Sequence, residues 1–341
     1  MRWRRTAALL VVGLVLGAGA CSDDGDADDG SSDTSTTTPS DGGEAGGGET
    51  GSIDVLTYNV AGLPQEISDE NPSEHMQLIS PLLSEYDLVL LQESFDWWLP
   101  GGLVETLDLD AQSYVERLRA DSGLPHALPQ HPGPEEAGID PATRPDLQLG
   151  DGIGIMSRFE LADPVRQAWV GCFGGFDTSD GGAADCLAMK GFAVATIELG
   201  GVEVDVYSLH GEAGGTDTDQ GLQVDDFAQL AAFIEERSAG RPIILGGDTN
   251  LHTRSDHPDA DGDADTRIWD DFIEATGLSD ACVETDCEEV GSIDKVAVRS
   301  TDDLALAVTS YDQPVETFTS PAGDELSDHP PVAVTIEWTR P

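Results

Sequence analysis

The sequence has few basic residues. Its 341 residues include 16 lysines and arginines against 66 aspartates and glutamates, which gives a formal net charge of −50. So acidic a surface repels phosphate backbones and argues against a nucleic-acid binder held by a basic face. A nuclease is not excluded, because a bound cation can reverse the electric field at a site. The length suffices for one large domain or two small ones.

Cysteine is also scarce, with five in the chain, and the spacings do not match a zinc site. Cys21 ends the N-terminal segment. The other four, Cys172, Cys186, Cys282 and Cys287, are an even number in what we predict to be an exported protein. Sequence spacing favours two local disulfides, Cys172–Cys186 and Cys282–Cys287, among the three possible pairings.

Residues 1–21 are predicted to be a signal peptide. Three arginines precede the apolar run Ala7–Leu16, and small residues lead to Cys21. The apolar run is too short for a comfortable membrane span. The Ala-Gly-Ala-Cys ending resembles a bacterial lipobox, which predicts acylation of Cys21 and anchoring of the protein at the cell surface. Ordinary secretion is the alternative, because Leu is absent three residues before the cysteine.

Apolar residues are nearly absent from residues 22–51, which consist mainly of Asp, Gly, Ser and Thr. Such a segment cannot bury a core, so we predict a disordered tether. The folded domain is predicted to span residues 52–339. The sequence shows no internal repeat and no second linker, and we expect one catalytic domain and a monomer.

Within that domain, apolar runs repeatedly end on polar residues. Such runs predict buried strands that hold polar groups rigidly at their ends. At Asp248 a simple Asx-turn is an equally good interpretation. The runs and the residues that follow them are Ile53–Tyr58 before Asn59, Leu88–Gln92 before Glu93, Val202–Leu209 before His210, Pro242–Leu245 before Asp248 and Asn250, and Pro331–Trp338 after Asp328 and His329.

Helical periodicity alternates with these strands. It predicts helices from Pro72, over Gln112–Ala120, over Leu222–Arg237 and over Ile268–Thr276, and further strands at Phe192–Leu199, Ile293–Val298 and Leu304–Thr309. This content predicts an α/β fold, with two mixed sheets packed face to face and helices outside. Gly123–Gln148 is assigned no element. Asp256–Asp265 is predicted to be a solvated acidic loop, since it does not fit the pattern of a calcium loop.

Seven short motifs are informative together because of their order along the chain. They are TYNVAGLP (Thr57–Pro64), LLQE (Leu90–Glu93), GIGIMSR (Gly152–Arg158), SLHGEA (Ser208–Ala213), GGDTN (Gly246–Asn250), SIDKV (Ser292–Val296) and SDHPPV (Ser327–Val332). Together they resemble the endonuclease/exonuclease/phosphatase superfamily. TYNVAGLP and DCLAMKGF (Asp185–Phe192) are similar to its neutral sphingomyelinase branch. The resemblance implies a four-layered α/β sandwich and metal-dependent hydrolysis of phosphoesters.

The resemblance implies that Asn59 and Glu93 hold Mg²⁺, or another divalent cation such as Mn²⁺ or Ca²⁺. An amide and a carboxylate suit an oxygen-liking cation. A glutamate at the end of a buried apolar strand is costly without a partner. The alternative for Glu93 is a surface carboxylate.

The resemblance also implies that His329, oriented by Asp328, is the general base. Histidine has a suitable pKa for this role near neutral pH. Adjacent residues on a strand point in opposite directions, so the pair requires the backbone to turn. His210 is implied to stabilise charge on the phosphoryl group, with a buried structural histidine as the alternative.

Four more residues receive implied roles. Asp248 and Asn250 would orient the nucleophile and the phosphate, and Asp248 would help the leaving oxygen depart. Asp294 would support the same cluster, although Lys295 follows it where the family has an aromatic residue. Lys190 would contact the phosphate or be a structural surface lysine.

The expected substrate is a phospholipid head group, above all that of sphingomyelin. Extracellular DNA and a small phosphomonoester are alternatives with the same chemistry, and a non-catalytic binding lipoprotein is a third. Tyr311–Glu325 contains only two aromatic residues, where secreted bacterial sphingomyelinases carry an aromatic hairpin that enters membranes. Trp97 and Trp98 could replace that hairpin or could equally pack at the rim of the core.

Overall fold

The computed structural model describes residues 48–68, 71–98, 113–131, 133–134, 137–177, 179, 181–254 and 263–341, and all structural statements concern these residues. The predicted signal peptide, Cys21 and nearly all of the predicted tether lie outside them. Most of the predicted acidic loop Asp256–Asp265 also lies outside them. In the described part of the chain, no helix is both long enough and apolar enough to cross a bilayer.

The described residues form twelve strands and five α-helices. The strands are β1 (Glu49–Gly62), β2 (Leu88–Ser94), β3 (His126–Ala127), β4 (Gly154–Ser157), β5 (Ala162–Ala168), β6 (Gly191–Leu199), β7 (Val202–His210), β8 (Ile243–Asp248), β9 (Ser279–Asp280), β10 (Asp294–Arg299), β11 (Ala305–Asp312) and β12 (Val332–Arg340). The helices are α1 (Pro72–Leu82), α2 (Tyr114–Ala120), α3 (Asp217–Arg237), α4 (Ala264–Thr276) and α5 (Ala281–Thr285). Two short 3₁₀ helices cover Leu83–Glu85 and Asp185–Leu187.

The strands form two six-stranded sheets. Their strand orders are β11-β12-β1-β2-β4-β3 and β5-β6-β7-β8-β10-β9. Each sheet contains one parallel pair, β1 with β2 and β7 with β8, and its other described pairs are antiparallel. The two mixed sheets and their flanking helices confirm the predicted α/β sandwich.

The central core lies between the sheets. Ile53 and Val55 of β1 share one buried apolar cluster with Val204 and Val206 of β7 and Ile244 of β8. Side chains two residues apart on a strand point to the same face, so each inner face is built from alternate residues. Burying each such side chain contributes roughly 1.5–3 kcal/mol, which makes this cluster a major source of stability.

Helices cover the outer face of each sheet. Met76 and Ile79 of α1 and Leu118 of α2 belong to a cluster on the first sheet. Phe227 of α3 and Trp269 of α4 belong to a cluster on the second sheet. The layers therefore run helix, sheet, sheet, helix.

Gly246 lies where the two sheets approach each other closely. A Cβ atom there would lie 2.9 Å from Leu90 Cδ1 and 3.2 Å from Thr57 Cβ, both on the opposite sheet. A larger residue there would require the Leu90 side chain to move and Thr57 to shift slightly, so the glycine two residues before Asp248 has a packing reason.

Several boundaries differ from the sequence-based prediction. Strand β1 begins at Glu49, three residues before the predicted domain start, because Glu49 pairs with Arg340 of β12. Helix α3 begins at Asp217 rather than Leu222. Thr216 and Asp219 form a capping box there, each side chain bonded to the other's backbone N–H.

Strand β5 was not predicted, because most of its residues are exposed and lack apolar alternation. The helix that starts at Pro72 is confirmed, with Asn71 as its N-cap residue. Both predicted disulfides, Cys172–Cys186 and Cys282–Cys287, are present.

Candidate active site

At one end of the strands, the inward-facing positions beyond the apolar core carry polar side chains. Asn59 follows the inward positions of β1, and Asp248 follows those of β8. Asp248 is in register with His210 of β7 on one side and with Asp294 of β10 on the other. All four residues are at most 1% exposed. The register of the second sheet therefore gathers three predicted site residues at one edge of the sandwich, and the packing of the two sheets adds Asn59, whose amide bonds Asp248.

Glu93 reaches this edge through an unusual backbone conformation. Strict alternation would place it on the outer face with Val89 and Leu91, which belong to the cluster under the helices. Instead Glu93 has a left-handed φ of 56°, and the pairing of β1 with β2 is irregular just beyond Asn59. Such a conformation is strained for a non-glycine residue and is frequent at functional sites. It brings the Glu93 carboxylate within 3.0 Å of the Asn59 amide.

The Asn59 amide nitrogen faces three acceptors. It lies 3.0 Å from Glu93 Oε1, 3.0 Å from Asp248 Oδ2 and 3.3 Å from His329 Nε2. The amide oxygen accepts the backbone N–H of Ala61, which fixes the orientation of the group. The ligand atoms of Glu93, Asp248 and His329 all lie within 4.8 Å of one another, and we name these residues the acceptor trio. When His329 is neutral, one NH₂ group has two hydrogens for three acceptors, so the trio can accept further positive charge.

Burial raises the pKa of both carboxyl groups in the acceptor trio. For Glu93, desolvation outweighs the favourable charges of His329 and Lys190. For Asp248, desolvation outweighs the favourable charge of His329, and the Asp294 charge adds to it. Two buried carboxylates side by side favour a cation, because a cation offsets both their desolvation and their repulsion.

His329 is held by Asp294 and not by its neighbour Asp328. His329 Nδ1 lies 2.9 Å from Asp294 Oδ2, while Asp328 is exposed. The prediction that Asp328 orients His329 is therefore wrong, because the backbone bends here in such a way that His329 turns inward to Asp294 while Asp328 stays exposed. Ser327 fixes the segment: its hydroxyl donates to the Asn59 carbonyl at 2.7 Å and accepts the His329 backbone N–H at 3.1 Å.

The charges around His329 favour its protonated form. Burial alone would lower the pKa of His329, but the carboxylates of Asp294 and Asp248 outweigh burial and hold this pKa well above its usual value. With Nδ1–H donated to Asp294, the Nε2 atom faces the Asn59 amide and Asp248. The pair has the arrangement of a base and the group that orients it.

His210 is fully buried and neutral. Burial, reinforced by the positive charges of Lys190 and His329, lowers its pKa well below the usual value. Its Nε2 atom lies 3.5 Å from Asp248 Oδ2 and 3.8 Å from Glu93 Oε1. A neutral imidazole can donate one N–H bond without adding a charge to the site.

Asn250 closes the loop after β8. Its backbone N–H donates to Asp248 Oδ1 at 2.9 Å, which is the Asx-turn that the sequence left open. Its side-chain amide donates to the Gly211 carbonyl at 3.1 Å, and its φ of 53° is left-handed. The Asx-turn and the functional interpretation coexist, because Asp248 uses one oxygen for the turn and the other for the acceptor trio.

Lys190 lies behind His210 and is buried. Its ammonium group forms an ion pair with Asp185 and lies 3.5 Å from the Gly211 carbonyl. Burial would lower the pKa of Lys190, but Asp185 and Glu93 outweigh it, and the net direction is upward. The interpretation as a surface lysine is wrong, and a charged Lys190 faces the back of the site.

A polar connection between the two sheets was missed by the sequence reasoning. The Gln92 amide donates to Ser208 Oγ at 3.0 Å, and Ser208 Oγ donates to the Leu91 carbonyl at 3.1 Å. Thr57 Oγ1 donates to Gln92 Oε1 at 3.3 Å, and the three side chains are fully buried. The sequence feature that could have revealed this connection is a polar residue at an inward position of an apolar strand. A polar side chain buried there requires a hydrogen-bond partner.

Lys295 occupies the position where the family has an aromatic residue, and the charge of its ammonium group has hydrogen-bond partners. Its ammonium group donates to Thr253 Oγ1 at 2.9 Å and to the Ser292 carbonyl at 2.6 Å, and it lies 5.6 Å from the centre of the Trp269 ring. Burial, opposed by Asp280, lowers the pKa of Lys295 to about 8. The lysine therefore ties together the loops that flank Asp294.

Trp97 and Trp98 are half-buried. Trp97 Nε1 donates to Glu66 Oε2 at 3.0 Å, and its ring packs against the cluster of Phe95, Leu149 and Ala188. Trp98 packs against the cluster of Ile139, Leu147, Ala168 and Met189. These contacts favour the interpretation that Trp97 and Trp98 pack at the rim of the core over the interpretation that they form a free, membrane-facing pair.

Comparison with known proteins adds a family and several relatives. The family model described as Endonuclease/Exonuclease/phosphatase family matches residues 56–329. The chain is 29% identical over 305 residues to sphingomyelinases of Mycobacterium bovis and Mycobacterium tuberculosis. The match covers 84% of this chain and 53% of each relative, so the chain spans about half the length of the curated relatives it matches.

Solved structures share the fold. A sphingomyelinase C from Streptomyces griseocarneus matches with a TM-score of 0.54 and 18% identity, covering 84% of this chain and 99% of that one. A Staphylococcus aureus beta toxin with bound magnesium ions matches with a TM-score of 0.56 and 15% identity, covering 83% and 99%. At such identities the likeness concerns the fold alone.

Proposed function

Because the chain belongs to the endonuclease/exonuclease/phosphatase family, we propose that it is a metal-dependent phosphodiesterase that cleaves the head group from a phospholipid. The observation that carries the proposal is the convergence of the acceptor trio, the neutral His210 and the Asp294–His329 pair at one edge of the two sheets. Sphingomyelin is the first substrate to test, since relatives at 29% identity are sphingomyelinases.

The donor set fits a hard divalent cation such as Mg²⁺. Glu93 and Asp248 offer carboxylate oxygens, and oxygen donors of this kind suit Mg²⁺. The predicted ligand Asn59 turns its NH₂ group to these carboxylates and its oxygen to the Ala61 N–H, so in this geometry it positions the carboxylates and offers no oxygen to the ion. Glu93 would hold the ion, with Asn59 and Asp248 beside it. When bound, the ion supplies positive charge that stabilises the phosphoryl oxygens in the transition state.

His329 would act as the general base. Asp294 fixes the tautomer by accepting Nδ1–H, which leaves Nε2 to face the site. Neutralising Asp248 and Glu93 removes two of the charges that raise the pKa of His329, so that Nε2 can accept a proton. The proton comes from water, whose oxygen attacks phosphorus in line with the leaving oxygen.

The remaining site residues would stabilise and complete the reaction. His210, neutral because its pKa is lowered, would donate Nε2–H to a phosphoryl oxygen. Asp248, held by the Asn250 backbone N–H and the Asn59 amide, would orient the nucleophile and the phosphate and help the leaving oxygen depart. Asn250 would hold the His210 loop through the Gly211 carbonyl, and Lys190 would add positive charge from behind.

A lipid substrate agrees with the charge of the chain better than DNA does. A net charge of −50 repels a polyanion along its length, whereas a head group presents one phosphate. The two disulfides suit an oxidising compartment and support export, as do the predicted signal peptide and acylated Cys21.

The test is Mg²⁺-dependent release of phosphocholine from sphingomyelin vesicles by the purified protein. His329→Ala serves as the disabled variant, and Asp328→Asn, the exposed neighbour, is its matched control. Turnover that disappears with EDTA and in His329→Ala, but persists in Asp328→Asn, is the expected result. Cleavage of plasmid DNA without any lipid turnover would contradict the proposal of a lipid substrate. Turnover that persists in EDTA would contradict the proposed metal dependence.

A further inference from the structure

Four buried oxygens behind the active site have no hydrogen-bond partner among the described residues. They are Glu212 Oε2, Asp219 Oδ1, Gln223 Oε1 and Asp226 Oδ2, on side chains that are at most 1% exposed. An unsatisfied buried polar atom costs about 1–3 kcal/mol. Four acceptors left together in one region indicate that an electropositive group belongs there.

The four side chains converge on one loop. Asp219, Gln223 and Asp226 follow each other at intervals of four and three residues, which places them on one face of α3. The Gln223 amide nitrogen donates to the carbonyls of Glu212 at 3.1 Å and Gly214 at 3.4 Å. That face of α3 therefore packs directly against the loop that follows His210.

Each of the three carboxylates uses one oxygen and leaves the other free. Glu212 Oε1 accepts the Phe173 backbone N–H at 2.5 Å, and Asp219 Oδ2 accepts that of Thr216 at 2.8 Å. The Asp226 carboxylate accepts the backbone N–H of Glu212. These bonds fix each carboxylate in place and leave its second oxygen in the buried space between helix and loop.

The surrounding charges do not balance. Asp185, which lies beside these carboxylates, is paired with Lys190. Arg144 lies close enough to Glu212 and Asp226 for their charges to act on it. When all four carboxylates are ionised they share two cations, and a divalent ion would then neutralise the rest.

We propose that Glu212, Asp219, Gln223 and Asp226 form a second cation site, which we name the α3 site, and that its ion is Ca²⁺. The site has three carboxylates, and all three are among the described residues. Their oxygens do not all lie within 4.8 Å of one another. The ion therefore contacts at most two of the carboxylates directly, and the Gln223 amide oxygen and main-chain or water oxygens complete its coordination. Ca²⁺ accepts about six to eight such oxygens in flexible geometry, whereas Mg²⁺ demands a compact octahedron.

The ion has a structural task in this position. It joins the N-terminal half of α3 to the loop that starts one residue after His210, so it stabilises the fold and holds that loop. A ligand that binds only the folded state adds stability that grows with its concentration, so Ca²⁺ raises the melting temperature.

Protons are the competing occupant. Burial, with the Asp185 charge adding to it, raises the pKa of Glu212 to about 9, and burial raises that of Asp226 to about 8. If protons alone neutralised the cluster, stability would depend on pH and be indifferent to Ca²⁺. The two occupants are therefore separable by experiment.

The experiment measures Ca²⁺ binding calorimetrically on the full chain after EDTA treatment and buffer exchange. The variant Glu93→Gln weakens cation binding at the acceptor trio, so that the α3 site is counted alone. We expect one Ca²⁺ per chain and a higher melting temperature. Adding Asp226→Asn should weaken Ca²⁺ binding at least tenfold. Adding Asp225→Asn, on the exposed side of the same helix, should leave binding unchanged.

Three results would overturn the α3 site. They are a folded Glu93→Gln protein that binds no Ca²⁺, equal Ca²⁺ binding by the Asp226→Asn and Asp225→Asn proteins, and a melting temperature that follows pH but not Ca²⁺. Should Glu93→Gln not fold, the stoichiometry decides: the unaltered chain should bind two Ca²⁺ and Asp226→Asn one. Equal stoichiometry in those two proteins would likewise contradict the proposal.

Discussion

The acceptor trio and the α3 site are two acidic clusters that are buried in different ways. In the trio, Glu93 and His329 keep 24% and 16% of their side chains exposed, and the trio's ligand atoms surround one amide group. In the α3 site every side chain is sealed, and each carboxylate is held separately by a backbone N–H.

The difference separates two uses of acidic residues. An open cluster can exchange its partner for a substrate during each catalytic cycle. A sealed cluster needs a resident counter-charge, because a buried uncompensated charge is costly. Substitutions in the open cluster should therefore reduce catalysis with little loss of stability, and substitutions in the sealed one should change stability more than catalysis.

The largest expected effect is that of Glu93→Gln. Removing a carboxylate from the cation-binding trio should lower Mg²⁺-dependent turnover by about a thousandfold or more, or about 4 kcal/mol of barrier. The melting temperature should stay the same or rise, because a desolvated charge is removed. Initial rates and thermal unfolding on the same preparation measure both. A large loss of stability would break the comparison between the two clusters.

A smaller effect is expected from Asp294→Asn. The change removes the charge that fixes the His329 tautomer and should lower kcat about a hundredfold. The pH–rate profile should shift to lower pH on its acidic limb, because the Asp294 charge raises the pKa of His329. Asp328→Asn is the matched control and should stay within about twofold of the unaltered protein, as expected for an exposed position. Equal losses in both variants would restore Asp328 as the orienting residue.

Much of the site was predictable, because its residues terminate apolar runs. His210 and Asp248 are the last residues of β7 and β8, and Asn59 and Glu93 lie near the ends of β1 and β2, in strands that the sequence marks clearly. The position of Asp294 beside His329 was not predictable, since the two are 35 residues apart and only the packing of one sheet on the other brings the start of β10 to the segment before β12.

The α3 site was missed for a local reason. The apolar periodicity begins at Leu222, so the predicted helix started five residues late and left Asp219 outside it. The capping box of Thr216 and Asp219 extends the helix to Asp217 and aligns Asp219 with Asp226. Periodicity reports the apolar face of a helix and says nothing about a buried polar face.

The pH dependence of stability should sharpen the comparison further. A carboxyl group whose pKa is raised on folding keeps protons that the unfolded chain loses, so its contribution is lost as pH rises. In EDTA, stability should fall from about pH 5 towards the folded values near 8 and 9 for Asp226 and Glu212. One proton difference gives about 1.4 kcal/mol per pH unit at most. Denaturant melts at several pH values measure this slope. Saturating Ca²⁺ or Asp226→Asn should flatten it, and a slope unchanged by both would remove the α3 site as its source.

The smallest effect is expected where buried polar groups are neutral and fully bonded. Ser208→Ala leaves the Gln92 amide without its partner and should cost about 1–3 kcal/mol of unfolding free energy, measured by denaturant titration. Ser52→Ala, at an exposed position of β1, is the control and should cost less than about 0.5 kcal/mol. Unlike the charged clusters, the Gln92–Ser208 pair should show no dependence of this cost on pH, Mg²⁺ or Ca²⁺. A cost that varied with any of them would mean that the pair is coupled to the active site through His210, two residues from Ser208 along β7, and does not only connect the sheets.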